Sequence, residues 1–162
     1  LELIGPPEEV SPFVDDVWTD YDAPRPEIGF EQQRSLRFYG LGGDPALSNR
    51  ETVDVYEALS RTPFPSLYGS LSWAEDFAEF VTFSYLVHTM GARYEIRVEK
   101  DGSQVFSYEP MRSPDVVRRA SLIDPELLEH LHDDDLLLRA DASDLTDELL
   151  GTVLLSRIFH GL

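Results

Sequence analysis

Two glutamates one helical turn apart, Glu75 and Glu79, lie in a stretch that is otherwise almost wholly apolar, Ser72-Trp73-Ala74-Glu75-Asp76-Phe77-Ala78-Glu79-Phe80-Val81. Carboxylates so placed need an answer. Desolvating an ionised carboxylate costs on the order of several kcal/mol unless a cation, a metal or a donor faces it. Like charges at i and i+4 also repel. Either this acidic stripe faces water, with Glu75 and Asp76 complementing the helix dipole, or something positive sits opposite. A divalent metal with imidazole ligands is one such partner.

The element that carries these residues is the strongest helix of the sequence. Ser72 is a natural N-cap and Glu75 follows three residues later, a capping-box pattern. The helix is expected to run from Trp73 to about Met90 and stop at Gly91. At 100° per residue, Trp73, Phe77, Phe80, Val81, Ser84 and His88 share one broad face. Glu75, Glu79, Thr82 and Leu86 form the narrow opposite stripe. A helix apolar nearly all round belongs inside a protein.

The other elements frame it. Residues 1–29 hold Pro6, Pro7, Pro12, Pro24 and Pro26, so an extended segment with little helix is expected. Its Phe13, Val14, Val17, Trp18 and Tyr21 suit an ordered cover over the core. Residues 30–91 read as the helical part: Phe30 to Tyr39, then about Glu51–Arg61 capped by Ser48 or Asn49, then the long helix. Residues 92–110 read as a β-hairpin turning at Lys100-Asp101-Gly102-Ser103. Residues 111–162 read as helices over Asp115–Ala120, Glu126–His132 and Thr146–Phe159, with Pro114 and Pro125 at two starts. The fold class expected is α+β: mainly helical, one central buried helix and a small antiparallel hairpin.

The run Thr62-Pro63-Phe64-Pro65-Ser66-Leu67-Tyr68-Gly69-Ser70-Leu71-Ser72-Trp73-Ala74-Glu75-Asp76-Phe77-Ala78-Glu79 resembles the second half of the active site of gluzincin-type zinc metallopeptidases, in particular the lethal-factor-like branch. That resemblance implies a zincin-like C-terminal part, hydrolase activity on a peptide or protein substrate, and zinc as cofactor. It implies that Glu75 is the third zinc ligand and Glu79 the carboxylate that orients a ligand imidazole. Tyr68, seven residues before Glu75, would be the phenol that stabilises charge developing on the substrate carbonyl. Each role has a physical warrant: an open zinc site with three protein ligands, an acceptor behind each imidazole, and a preplaced donor. Asp76 is the weaker match, a cap or a tie to a neighbouring loop.

The same family carries an H-E-x-x-H helix, and none occurs in these 162 residues. The histidines are His88, His130, His132 and His160, with no pair at i, i+4. The chain by itself is therefore expected to be inactive, and the H-E-x-x-H segment is expected upstream of Leu1. His88 reads as a packed residue of the apolar face. The run His130-Leu131-His132-Asp133-Asp134-Asp135 has ligand-type residues but reads as a solvated helix end. Gly40-Leu41-Gly42-Gly43 lacks the Lys-Ser/Thr of a phosphate loop and reads as a turn.

Composition narrows the partners. Thirteen Lys and Arg against thirty-one Asp and Glu give a formal net charge of −18, which repels phosphate backbones and anionic membranes. Direct nucleic-acid binding is disfavoured. The charge suits a basic protein partner, so a non-catalytic acidic interaction module, of pseudo-peptidase or inhibitor and immunity type, is the alternative. No apolar run reaches the ~18 residues that span a bilayer, so no membrane insertion is expected. There is no cysteine, which excludes disulfides, thiolate metal sites and a cysteine nucleophile. It leaves the compartment open and is compatible with a secreted or periplasmic protein.

Overall fold

A computed structural model of the chain describes residues 5–38 and 46–131. Among these residues the fold is α+β, with five α-helices and two separate antiparallel hairpins.

The N-terminal segment contributes α1 (Ser11–Asp15), β1 (Trp18–Asp20) and β2 (Ala23–Pro24). Pro12 opens α1 in the first turn, where its missing N–H is no loss. Val10, Phe13, Val14, Val17 and Trp18 are buried, so the segment covers the core. The β1–β2 hairpin and the short helix were not anticipated from the prolines.

Next comes α2 (Thr52–Leu59), preceded by a 3-10 turn at Asn49–Glu51. Ser48, not Asn49, caps this run, in a full box with Glu51. The helix expected over Phe30–Tyr39 is absent from its described part, which holds only a 3-10 turn at Gln33–Ser35 before Leu36 goes extended (ψ 139°). The reason lies in Gln33. Its side chain is buried and donates through Nε2 to the Ser70 carbonyl, while its Oε1 accepts from the Phe30 N–H. These side-chain bonds compete with helical ones for the same stretch.

The central helix α3 (Trp73–Ser84) follows a 3-10 turn at Gly69–Leu71. Ser72 is extended (φ −157°, ψ 160°) and its Oγ accepts the Glu75 N–H at 3.3 Å. The reciprocal half of the box is not made, because the Glu75 carboxylate turns elsewhere. Trp73, Ala74, Phe77, Ala78, Phe80 and Val81 are buried. Phe13 of α1 meets Phe77 and Phe80 edge-on or tilted, with centroids 5.3 and 4.9 Å apart. Each such buried Phe contributes roughly 1.5–3 kcal/mol.

Beyond Ser84 the helix widens into a π turn, Tyr85–Thr89, and ends at Gly91 with φ +67°. A π turn advances each residue by less than 100° around the axis. The face drawn from Trp73 therefore does not extend to His88, which is exposed. The packed role expected for His88 is corrected on that ground.

The second hairpin joins β3 (Ile96–Lys100) to β4 (Ser103–Tyr108), with a register irregularity at Val98/Glu99. Asp101 (φ 52°) and Gly102 (φ 76°) both take positive φ, as a two-residue turn of the I′ type requires. Tyr94, just before β3, stacks on Phe83 of α3 at 3.9 Å and 5°. Then α4 (Pro114–Ala120) and α5 (Pro125–Leu131) follow. The expected helix over Thr146–Phe159, with His132, residues 133–135 and His160, lies outside the described residues. The same holds for the expected turn at Gly40–Gly43.

Candidate functional site

The lead-in to α3 is bent by its own prolines and serines. Thr62 Oγ1 donates to the Leu59 carbonyl at 2.7 Å, closing α2, and Pro63 and Pro65 keep the next residues out of helix. Ser66 then begins a tight turn: the Gly69 N–H donates to its Oγ at 2.9 Å, and the Ser70 hydroxyl donates to the Leu67 carbonyl at 2.7 Å. Gly69 packs close to α3. A Cβ there would stand 3.5 Å from the Asp76 Cα. The turn therefore lies against the first turns of the helix.

This geometry brings the predicted residues together. The Tyr68 hydroxyl donates to Glu75 Oε1 at 3.1 Å. The Ser66 hydroxyl donates to Glu79 Oε2. The edge of Phe38 meets the Tyr68 ring, with centroids 5.3 Å apart and planes at 81°. The Tyr94 hydroxyl donates to the Pro65 carbonyl at 3.2 Å, tying the hairpin side to the same turn. Glu75 and Glu79 are both half-buried, so neither is bathed in water. Burial pushes the Glu75 carboxyl above its ordinary range, and the Tyr68 hydrogen bond opposes that rise. Among the described residues no cation lies within ion-pair distance of Glu75.

Asp76, between these two glutamates in sequence, points the other way and is fully buried. Arg119 of α4, also fully buried, donates to Asp76 Oδ1 at 3.0 Å and Oδ2 at 2.6 Å. Trp18 Nε1 donates to Oδ2 at 2.8 Å. The same guanidinium reaches the Pro63 carbonyl at 3.0 Å and lies 3.7 Å above the Phe13 ring. Burial pushes the Asp76 carboxyl up, and the Arg119 charge, with the donors from Arg119 and Trp18, pulls it back. One buried ion pair thus pins the N-terminal cover, the Pro63 lead-in, α3 and α4 together.

Sequence reasoning missed Arg119, Ser66 and Gln33, and underrated Asp76. The signal for Arg119 was present: Val116, Arg119, Ala120 and Ile123 share a helical stripe, so an arginine there faces the core. Asp76 likewise follows Trp73 by three and precedes Phe77 and Phe80 on the apolar face.

The donor types fit a zinc ligand set in part. Glu75, a half-buried carboxylate with no cation beside it among the described residues, is of a ligand type that zinc accepts. Among the described residues no cluster of three His, Asp or Glu side chains is assembled, so the imidazoles of such a set would come from elsewhere. No protein-family model, no curated protein and no solved structure matches this chain. Among the described residues no helix is long and apolar enough to cross a membrane.

Proposed function

We propose that this chain is the C-terminal portion of a zinc-dependent metallopeptidase of the gluzincin type, with a zincin-like core around α3, acting on a peptide or protein substrate. One observation carries the reading. The Tyr68 phenol, seven residues upstream, donates to a half-buried Glu75 carboxylate that has no cation beside it among the described residues. Glu75 would hold the metal, and Glu79 would accept from a ligand imidazole and fix its tautomer. Zinc, when bound, supplies Lewis-acid chemistry and activates water. Tyr68 would move its hydrogen bond from Glu75 to the substrate carbonyl oxygen as charge develops there. Asp76 and Arg119 take no part in the chemistry and hold the Pro63–Tyr68 turn against α3. The reading requires an H-E-x-x-H segment from outside these 162 residues.

The test uses the full-length protein. Glu75→Gln should abolish stoichiometric zinc, whereas Tyr68→Phe should keep zinc and lose about 100-fold in kcat. Full zinc content in Glu75→Gln refutes the assignment. The second reading, an acidic interaction module for a basic protein, is favoured by the −18 charge. It predicts a zinc-free full-length protein whose complex with a basic partner weakens steeply with salt.

A further inference from the structure

We propose that a cavity between the N-terminal cover and the start of α3 seats a long basic side chain, lysine or arginine, of a basic protein partner. Tyr68, Glu75 and Glu79 do not line this cavity, so the inference is independent of the peptidase reading. It rests on the acidic-interaction reading and deepens it by giving the partner a place to dock. The cavity holds about 230 Å³. Val14, Trp18 and Trp73 line it and are buried, so they form its floor. Asp15 and Asp20 line it and are exposed, so they form its rim. Half-buried Tyr21 is the wall between. Its ring meets Trp73 edge-on with centroids 6.1 Å apart, and its carbonyl accepts the Trp73 N–H at 2.9 Å. The wall is thereby tied to the first residue of α3. The Trp18 indole N–H is already given to the buried Asp76, which fixes the floor from beneath and leaves the cavity only its carbon surface.

The rim acids are answered differently from their neighbour Asp16. Arg118 holds Asp16 through two bonds of 3.0 and 2.8 Å. Asp15 and Asp20 enter no ion pair among the described residues. Arg25 is close, but its guanidinium donates to the Asp15 backbone carbonyl, at 3.1 and 2.8 Å, and not to either carboxylate. Asp20 Oδ1 accepts the Tyr21 N–H at 2.7 Å, which orients that carboxylate and leaves its other oxygen open to a donor. An apolar floor below two carboxylates without a cation matches a side chain with an aliphatic stem and a charged head. The stem covers the floor and the head reaches the rim. A neutral apolar side chain would leave the acids unanswered, and a small cation would leave the floor in water. An anionic side chain is repelled by the rim and by the net charge of −18, which in turn draws a basic partner from a distance.

The experiment titrates the 162-residue chain at low salt with Nα-acetyl-lysine methylamide and with Nα-acetyl-arginine methylamide. It follows by NMR the indole N–H signals of Trp18 and Trp73, the chain's two tryptophans. At least one of the two ligands should shift them saturably at millimolar concentration. The norleucine derivative has the stem without the charge, and the diaminopropionate derivative has an ammonium on a short stem. Each should bind about fivefold or more weakly. Asp15→Asn/Asp20→Asn changes only exposed side chains and should raise Kd about fivefold. Glu126→Gln/Glu129→Gln removes the same charge from exposed positions on α5 and should leave Kd within about twofold. No saturable indole shift with either ligand, equal binding of the short-stem cation, or equal losses in the two double variants overturns the site. In any of those cases, salt-sensitive binding of an oligolysine peptide by the wild-type chain leaves the acidic-interaction reading standing. A chain that binds neither the single side chains nor oligolysine overturns both.

Discussion

Arg119→Met removes the guanidinium and keeps an apolar stem in a place closed to water. Asp76 then loses two charge-assisted bonds of 3.0 and 2.6 Å and retains the one from Trp18 Nε1. The Pro63 carbonyl loses its 3.0 Å donor and the Phe13 ring its cation. Removing one partner of a buried pair costs about 3–5 kcal/mol, because the other charge is left unanswered. For a chain of this size that lowers Tm by about 6–20 °C. The assay is thermal and urea unfolding followed by the fluorescence of Trp18 and Trp73, both buried. Two controls separate charge from packing. Arg119→Met/Asp76→Val replaces both ions with apolar groups and should recover most of the loss. The deficit of the single variant should also depend on pH. Without Arg119 the folded Asp76 carboxyl rises further above its unfolded value. The folded state then holds a proton that the unfolded state lacks, and stability falls as pH rises through that window. The deficit is therefore full at neutral pH and shrinks on acidification. A loss below about 1 kcal/mol, or a double variant less stable than the single, refutes the latch.

Three further outcomes follow from the same contacts. Glu75→Gln should stabilise the metal-free chain at neutral pH: burial raises its folded pKa, so the penalty is present above that value and disappears toward pH 4.5. A Glu75→Gln chain with lower Tm at pH 7 and no convergence with wild type in acid contradicts this. Asp16→Asn, next to the same α4 but on the surface, should cost no more than about 1 kcal/mol and less in salt. Arg118 holds the Asp16 carboxyl below its ordinary range, so its contribution is present near neutrality and lost as pH falls through the folded pKa. Gly102→Ala should cost about 1 kcal/mol in urea unfolding, since φ +76° suits a residue without Cβ. An unchanged midpoint would show that the hairpin turn relaxes.

What the sequence disclosed and what it hid divide along physical lines. The cap at Ser72, the apolar stripe from Trp73 to Val81, the Asp101-Gly102 turn and the Pro114 and Pro125 starts are local signals, and the structure carries each of them. Tyr68 and Glu75 also come together, because only a short turn and the first turn of α3 separate them. The failures need tertiary partners. Gln33 goes to Ser70 instead of sustaining a helix, and that bond spans 37 residues. The π turn after Ser84 changes the period that the 100° projection assumes, and His88 moves out of the core face. Arg119 and Asp76 lie 43 residues apart, and no window along the chain contains both.

The three acids Glu75, Asp76 and Glu79 are answered by different groups. Asp76 meets a full positive charge in a dry place, which is what a structural carboxylate needs to stay folded. Glu79 has the Ser66 hydroxyl among its partners, a donor that fixes direction without neutralising charge. Glu75 is half-buried and receives the Tyr68 phenol, a neutral donor. Partial burial leaves its carboxyl above the ordinary range although a donor is bonded to it. A cation would gain more at Glu75 than at Asp76, whose charge Arg119 already meets. The helix thus keeps one acid for the fold and leaves another, beside Tyr68, without a cation among the described residues.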